Sequence, residues 1–260
     1  MKSHILIWFV SAITFVFLAA CVPSRFLQDP ASSQVMENEF ALQNALTLQD
    51  LAGRTPTPAS NPIDNPAPNA SASADSYYDR GMAYANRGIP FLAICNFDQA
   101  INLNPDFTLA YFQRGNVFLI MDDLNRAIRD FDKAIQLNPD FSEAYSARGI
   151  AYLQKQDWEH AIHDLDHAIQ ITPDSMTAYF ARGMIYASES ESDRAISDFN
   201  QALLLDPDNS LVYLWRGMTY VNKGEAESAI ADFIKVLELC GNNASLCLDA
   251  QHRLDNLKDK

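Results

Sequence analysis

The sequence predicts an all-α protein, a right-handed superhelical solenoid of five helix-turn-helix repeats followed by a C-terminal capping helix. Two observations predict this fold. A glycine recurs every 34 residues, each time preceded directly by an arginine, at Gly81, Gly115, Gly149, Gly183 and Gly217. A proline with the same spacing closes four repeats, at Pro105, Pro139, Pro173 and Pro207. A fixed period of this length is the signature of stacked repeats, each of which buries its apolar face against its neighbours.

The stretch Ser142–Ser175 shows the helical pattern of one repeat. Tyr145 and Gly149 lie four residues apart on one stripe of a first helix, and Ala161 and Leu165 do the same on a second helix. Small residues on the facing stripes allow two antiparallel helices to approach closely. The proline that follows ends the second helix because it cannot continue the backbone hydrogen bonds.

This pattern, Y-x-x-R-G-x-x-Y and then A-I-x-D-F-x-x-A-I-x-L-x-P, resembles the tetratricopeptide repeat, and the resemblance covers residues 76–243. It implies helical pairs that scaffold protein complexes. The fifth copy departs from the pattern, with Val236 for a small residue and Gly241 for the proline. Every copy also has arginine where the family usually has leucine, at Arg80, Arg114, Arg148, Arg182 and Arg216.

An aspartate follows four of these arginines by 16 residues, at Asp130, Asp164, Asp198 and Asp232. Arginine at a helix interface favours a carboxylate partner in planar geometry, so we expect a structural row of Arg–Asp pairs. Asn96 breaks the charge pairing in the first repeat. The alternative is a row of arginines that binds an acidic ligand.

Residues 1–20 have the composition of an export signal. The apolar run Ile5–Ala20 is short for a membrane span, which needs about 20 residues. It ends in Leu18-Ala19-Ala20-Cys21, which resembles the lipobox of bacterial lipoproteins. The resemblance implies lipidation of Cys21 and a place in the cell envelope, anchored to a membrane on the extracytoplasmic side. An ordinary signal peptide and an uncleaved anchor are the alternatives.

Two further segments flank the repeats. Residues 21–75, rich in Pro, Ala, Ser and Asn, predict a disordered tether, because such a composition buries too little apolar surface to offset the entropy of ordering. Residues 244–260 predict a capping helix that covers the apolar side of the last repeat.

Candidate chemistry is sparse. His160, His163 and His167 share a helix face, but the matching positions of other repeats are polar, so a solvated face is expected and no metal site. Cys240 and Cys247 flank a turn and predict either a disulfide or two buried thiols.

No motif of an enzyme is present, and we expect neither catalysis nor a cofactor nor a small-molecule substrate. The formal net charge of −14 argues against nucleic-acid binding.

Large apolar or soft side chains recur on one stripe of the first helices, and we expect them to face a concave groove. They are Tyr78, Met82, Phe112, Asn116, Ile150, Phe180, Met184, Leu214 and Met218. An exposed apolar patch usually marks a partner site. The sequence therefore predicts a membrane-anchored scaffold or adaptor that binds proteins or peptides in this groove. The alternative is a self-associating module that forms homo-oligomers without a separate client.

Overall fold

A computed structural model describes residues 73–241 and 243–258. They belong to two compact units, residues 73–151 (the first unit) and residues 152–258 without 242 (the second unit). The described residues form eleven helices and no strand. The helices are α1 Ala74–Asn86, α2 Pro90–Leu103, α3 Thr108–Ile120, α4 Leu124–Leu137, α5 Ser142–Gln154, α6 Trp158–Ile171, α7 Met176–Ser188, α8 Ser192–Leu205, α9 Ser210–Lys223, α10 Ala226–Leu239 and α11 Ala244–Lys258. They pair into five repeats plus one C-terminal helix, which confirms the predicted fold class.

The helix boundaries follow from capping side chains and prolines. Asp157 accepts a hydrogen bond from the backbone N–H of His160 at the start of α6, and Ser175 caps α7 in the same way. The second helices of the first four repeats end two residues before their proline. The first helix begins at Ala74, two residues before the predicted start of the repeats.

Close contact between a glycine and an aromatic ring joins the two helices of a repeat. In the first unit a Cβ added to Gly115 would lie 2.7 Å from Cε1 of Phe131, and in the second unit Gly183 stands in the same relation to Phe199. Both rings are fully buried. The recurring glycine is therefore required because a side chain there would overlap the ring.

The outer surface of α1 is polar where that of α7 is apolar. Ala178, Ala181 and Ile185 of α7 are buried, whereas α1 has Ser76 and Asp79 at the positions of the first two. No described helix precedes α1. Since a polar outer face is what a terminal repeat requires, α1 forms the N-terminal end of the repeat array within the described residues.

The C-terminal helix closes the second unit. Leu246, Ala250 and Leu254 of α11 are buried in the cluster that contains Phe233. A disulfide joins Cys240, after α10, to Cys247 of α11, with a Cα–Cα distance of 5.6 Å. Closing a loop of this length stabilises the fold by about 2.5 kcal/mol in the chain-entropy account.

Candidate functional site

In the second unit, the guanidinium group of the recurring arginine Arg182 is hydrogen-bonded on two edges by aspartate side chains. Arg182 donates two parallel hydrogen bonds to Asp198, of 2.8 Å each, and a third of 2.5 Å to Asp166. Asp198 is buried, and Asp166 is exposed. The hydrogen bond with Asp198 raises the pKa of Arg182 above its ordinary value, so this guanidinium keeps its charge.

The first unit repeats this arrangement. Arg114 donates two bonds to Asp130, of 2.8 and 2.7 Å, and one of 2.5 Å to Asp98. Arg148 donates to Asp132 in the same geometry, while Asp164, its predicted partner, belongs to the other unit. We call the recurring arginines together with these partners the arginine ladder.

The ladder loses charge at both ends. Arg80 donates to the neutral oxygen of Asn96, as the sequence suggested, at 2.7 Å. At the other end Arg216 binds Asp232 through two bonds, but its third bond goes to Asn200. Each arginine also lies over the tyrosine three residues before it, for example Arg216 over Tyr213 at 5.3 Å from the ring centroid.

A second set of acceptors was not predicted from the sequence: Asp98, Asp132, Asp166 and Asn200. They too recur every 34 residues, so the signal was present in the sequence. Because Arg114 and Arg182 already bind two carboxylates each, these guanidinium groups are not free to grip an acidic ligand. The geometry favours the structural interpretation of the arginines.

The predicted groove residues are more buried than expected. Phe112 is only 3% exposed and Phe180 only 4%, and Ile150, Leu214 and Met218 are also buried. The prediction that these five side chains form an exposed patch is therefore wrong.

The physical reason is packing between the helices of a repeat. The Phe112 ring lies 5.9 Å from Phe131 and 4.8 Å from Phe141 between ring centroids, and Phe180 lies 6.0 Å from Phe199. We expected tyrosines and alanines to fill the core. The alanines do lie in the core, but these phenylalanines share it with them, while the recurring tyrosines are half-buried beneath the arginines.

A part of the predicted stripe remains accessible in the first unit. We define the first-helix face by the positions of Asp75, Tyr78, Met82 and Asn86 on α1, by their equivalents 34 residues later on α3, and by Glu143, Ser146 and Ile150 on α5. These positions are three to four residues apart, so they share one side of each helix. Leu109 and Ile120 of α3 are 45% and 46% exposed on it. Tyr78, Met82 and Asn116 are half-buried there, as is Met184 at the equivalent position of α7 in the second unit.

Ser146 of α5 has an unusual environment on this face. It stands at the position of Phe112 one repeat earlier, is 6% exposed, and its Oγ has no hydrogen-bond partner. On α3, one repeat earlier, the side-chain amide of Asn116 donates a hydrogen bond to Gln113 at 3.3 Å. Gln113 is also hydrogen-bonded to Tyr78. A buried hydroxyl without a partner is uncommon and costs free energy unless a ligand or water satisfies it.

Other candidate groups do not assemble a reactive site in the described residues. His160 and His163 are exposed, His160 pairs with Asp157, and this hydrogen bond raises the pKa of His160. No cluster of three or more potential metal ligands occurs among the residues that the structure describes. Cys95 is an exposed free thiol. Cys21 lies outside the described residues, and none of the described helices is both long and apolar enough for a membrane span.

Comparison with known proteins agrees with this architecture. Models of the tetratricopeptide repeat match residues 121–185, 177–209 and 199–231. Residues 121–231 therefore contain tetratricopeptide repeats. No curated protein matches the sequence.

Solved structures share the fold of this chain. A crystal structure of the MamA protein is 26% identical, with a TM-score of 0.56, and the match covers 66% of this chain and 93% of that one. The structure of YrrB, described as a tetratricopeptide-repeat protein with an unusual peptide-binding site, is 23% identical with a TM-score of 0.54, and covers 69% and 92%. TTC0263 of Thermus thermophilus is 21% identical with a TM-score of 0.58, and covers 72% and 100%.

Proposed function

We propose that this protein is a membrane-anchored scaffold or adaptor of the bacterial cell envelope that binds a peptide segment of a partner protein at its first-helix face. The observation that carries the proposal is the first-helix face of the first unit. There, exposed Leu109 and Ile120 adjoin the half-buried Tyr78, Met82 and Asn116. Such a surface of apolar and amide groups offers burial together with hydrogen bonds, which is what peptide recognition needs.

Two further findings support a binding role. Tetratricopeptide repeats are present, and the similar YrrB structure is described as having a peptide-binding site. The ladder arginines serve the stability of the repeats, which leaves the first-helix face as the recognition surface. Methionine at Met82 suits adaptable contacts with a partner.

Selection of binders from a random dodecapeptide display library on the purified full chain tests this function. We expect enriched peptides whose affinity falls about tenfold or more in the variant Leu109→Ser/Ile120→Ser, because both exposed side chains lose their apolar contact. Leu204→Ser is the matched control, since Leu204 is 74% exposed on α8, which is a second helix and does not contribute to the face. Enriched peptides that bind the double variant and the wild type equally would place recognition elsewhere.

The anchor is the second part of the proposal. The apolar run and the lipobox-like Leu18-Ala19-Ala20-Cys21 support export and lipidation of Cys21. The disulfide of Cys240 and Cys247 is consistent with an oxidising compartment outside the cytoplasm. The tether predicted for residues 21–75 would hold the repeats about 40 Å from the anchor. Anchoring would confine the repeats near the membrane and raise their effective concentration toward envelope partners.

Metabolic labelling with a palmitate analogue tests the anchor. We expect the wild type to carry the label and to sediment with membranes, and Cys21→Ala to lose both properties. Cys95→Ala is the control, since it removes an exposed thiol from the repeats and leaves the lipobox intact. Labelling of Cys21→Ala to the level of the wild type would contradict lipidation at this residue.

A further inference from the structure

We propose that the segment bound at the first-helix face of the first unit is a cationic amphipathic peptide. Its lysine or arginine side chains pair with Asp75 and Glu143, and its apolar side chains cover Leu109. This inference rests on the proposed function and assigns the chemistry of the partner. Asp75, Leu109 and Glu143 occupy the same position of three successive first helices, and all three are exposed.

The charge of this face is of one sign. Asp75 of α1 and Glu143 of α5 are its charged residues, and the defining positions of the face on α1, α3 and α5 contain no lysine or arginine. The single basic residue of each of these helices is the ladder arginine. It lies two residues from the position of Tyr78, which is about 200° around the helix, on the other side.

The ladder arginines do not neutralise the carboxylates of the face. Arg114 is bound by Asp98 and Asp130, and Arg148 by Asp132. Arg80 donates to Asn96 and lies over the ring of Tyr77, 4.8 Å from its centroid. Charge complementarity at the face therefore favours a positively charged segment, and the net charge of −14 steers such a segment toward the protein.

An independent observation points to a bound ligand at the same face. Ser146 follows Glu143 by three residues, so the two side chains are neighbours on α5. The Ser146 Oγ is buried without a partner, whereas the equivalent positions have Tyr78 in repeat 1 and Phe112 in repeat 2. Serine is shorter than the aromatic side chains of the first two repeats at this position, and a peptide N–H or amide group that reached its hydroxyl would satisfy it.

Binding of a matched peptide pair to the full chain tests the inference. The probe is a 14-residue amphipathic peptide of Lys, Leu and Ala, and its twin has Glu in place of every Lys. Fluorescence anisotropy should show binding of the Lys peptide that weakens with added salt, and at least tenfold weaker binding of the Glu twin. Glu143→Gln should lower the affinity for the Lys peptide about two- to fivefold, as loss of one exposed ion pair does, and Asp75→Asn/Glu143→Gln should lower it further.

Two isosteric control variants separate a site from general attraction. Glu159→Gln and Glu227→Gln remove the same charge from exposed positions of second helices, and we expect both to bind the Lys peptide as the wild type does. Equal losses in Glu143→Gln and Glu159→Gln would show non-specific attraction and overturn the inference.

Ser146→Ala provides a readout that a purely structural role would not give. Removing a buried hydroxyl without a partner should leave the melting temperature unchanged or raise it, while affinity for the Lys peptide falls about two- to tenfold because a hydrogen bond is lost. Unchanged affinity would exclude Ser146 from the site.

If display selection enriches neutral or acidic peptides that require Leu109 and Ile120, the proposed function stands and the cationic partner is wrong. If neither the library nor the Lys peptide binds at the face, both fail.

Discussion

Arg182→Leu should lower the free energy of unfolding by about 3–5 kcal/mol, a large fraction of the stability of a domain. The substitution removes the cation that binds Asp198, whose side chain is only 8% exposed, and leaves this carboxylate buried without its bidentate partner. The loss of Asp166 as a second partner adds little, because that carboxylate is exposed and water replaces the arginine. Urea unfolding of the full chain, followed by circular dichroism, measures the change.

Two comparisons define the source of the effect. Arg126→Leu removes an exposed arginine that pairs with Asp123, and we expect a loss of at most about 1 kcal/mol. The double variant Arg182→Leu/Asp198→Leu should recover part of the stability, because a buried ion pair replaced by apolar side chains is often close to neutral. A double variant that is less stable than Arg182→Leu would contradict the view that the unpaired carboxylate is the main cost.

The repeat architecture could be predicted from sequence because its determinants are local and recur. Each glycine marks a close approach of two helices, and each proline marks the end of a helix. The 34-residue period repeats the glycine five times and the proline four times, so that weak single signals become a strong one. The row of arginines and aspartates was visible for the same reason, since the 16-residue separation is constant.

The accessible face could not be predicted in the same way. Helical periodicity shows which side of a helix is apolar, but burial depends on how far a neighbouring element reaches over that side. Phe112 has the same periodicity as an exposed contact residue, and its contacts with Phe131 and Phe141 place it in the core. Leu109, three residues earlier, lies beyond their reach and is exposed. The burial of Ser146 also depends on packing and has no signal in the sequence.

Phe199→Ala should be as damaging as the loss of Arg182, through a different mechanism. The ring is fully buried between α7 and α8, in contact with Phe180 and against the Cα of Gly183. Truncation removes the apolar contacts of the ring and leaves a cavity that two helices cannot close without shifting. Phenylalanine-to-alanine changes in such cores cost about 3–5 kcal/mol. The midpoint of urea unfolding measures the loss.

Phe91→Ala is the matched control, because Phe91 is 71% exposed on α2 and its loss should change stability by no more than about 0.5 kcal/mol.

A second variant tests the contact with glycine. Gly183→Ala places a Cβ 2.7 Å from Cε1 of Phe199 and should cost about 1–3 kcal/mol by overpacking. Combining Gly183→Ala with Phe199→Leu should cost less than the sum of the two single changes, because the smaller side chain makes room for the new methyl group. Leucine stands at the equivalent position of the third repeat, Leu165, which shows that the fold accepts it there. Strict additivity of the two changes would mean that the glycine is needed for another reason than this ring.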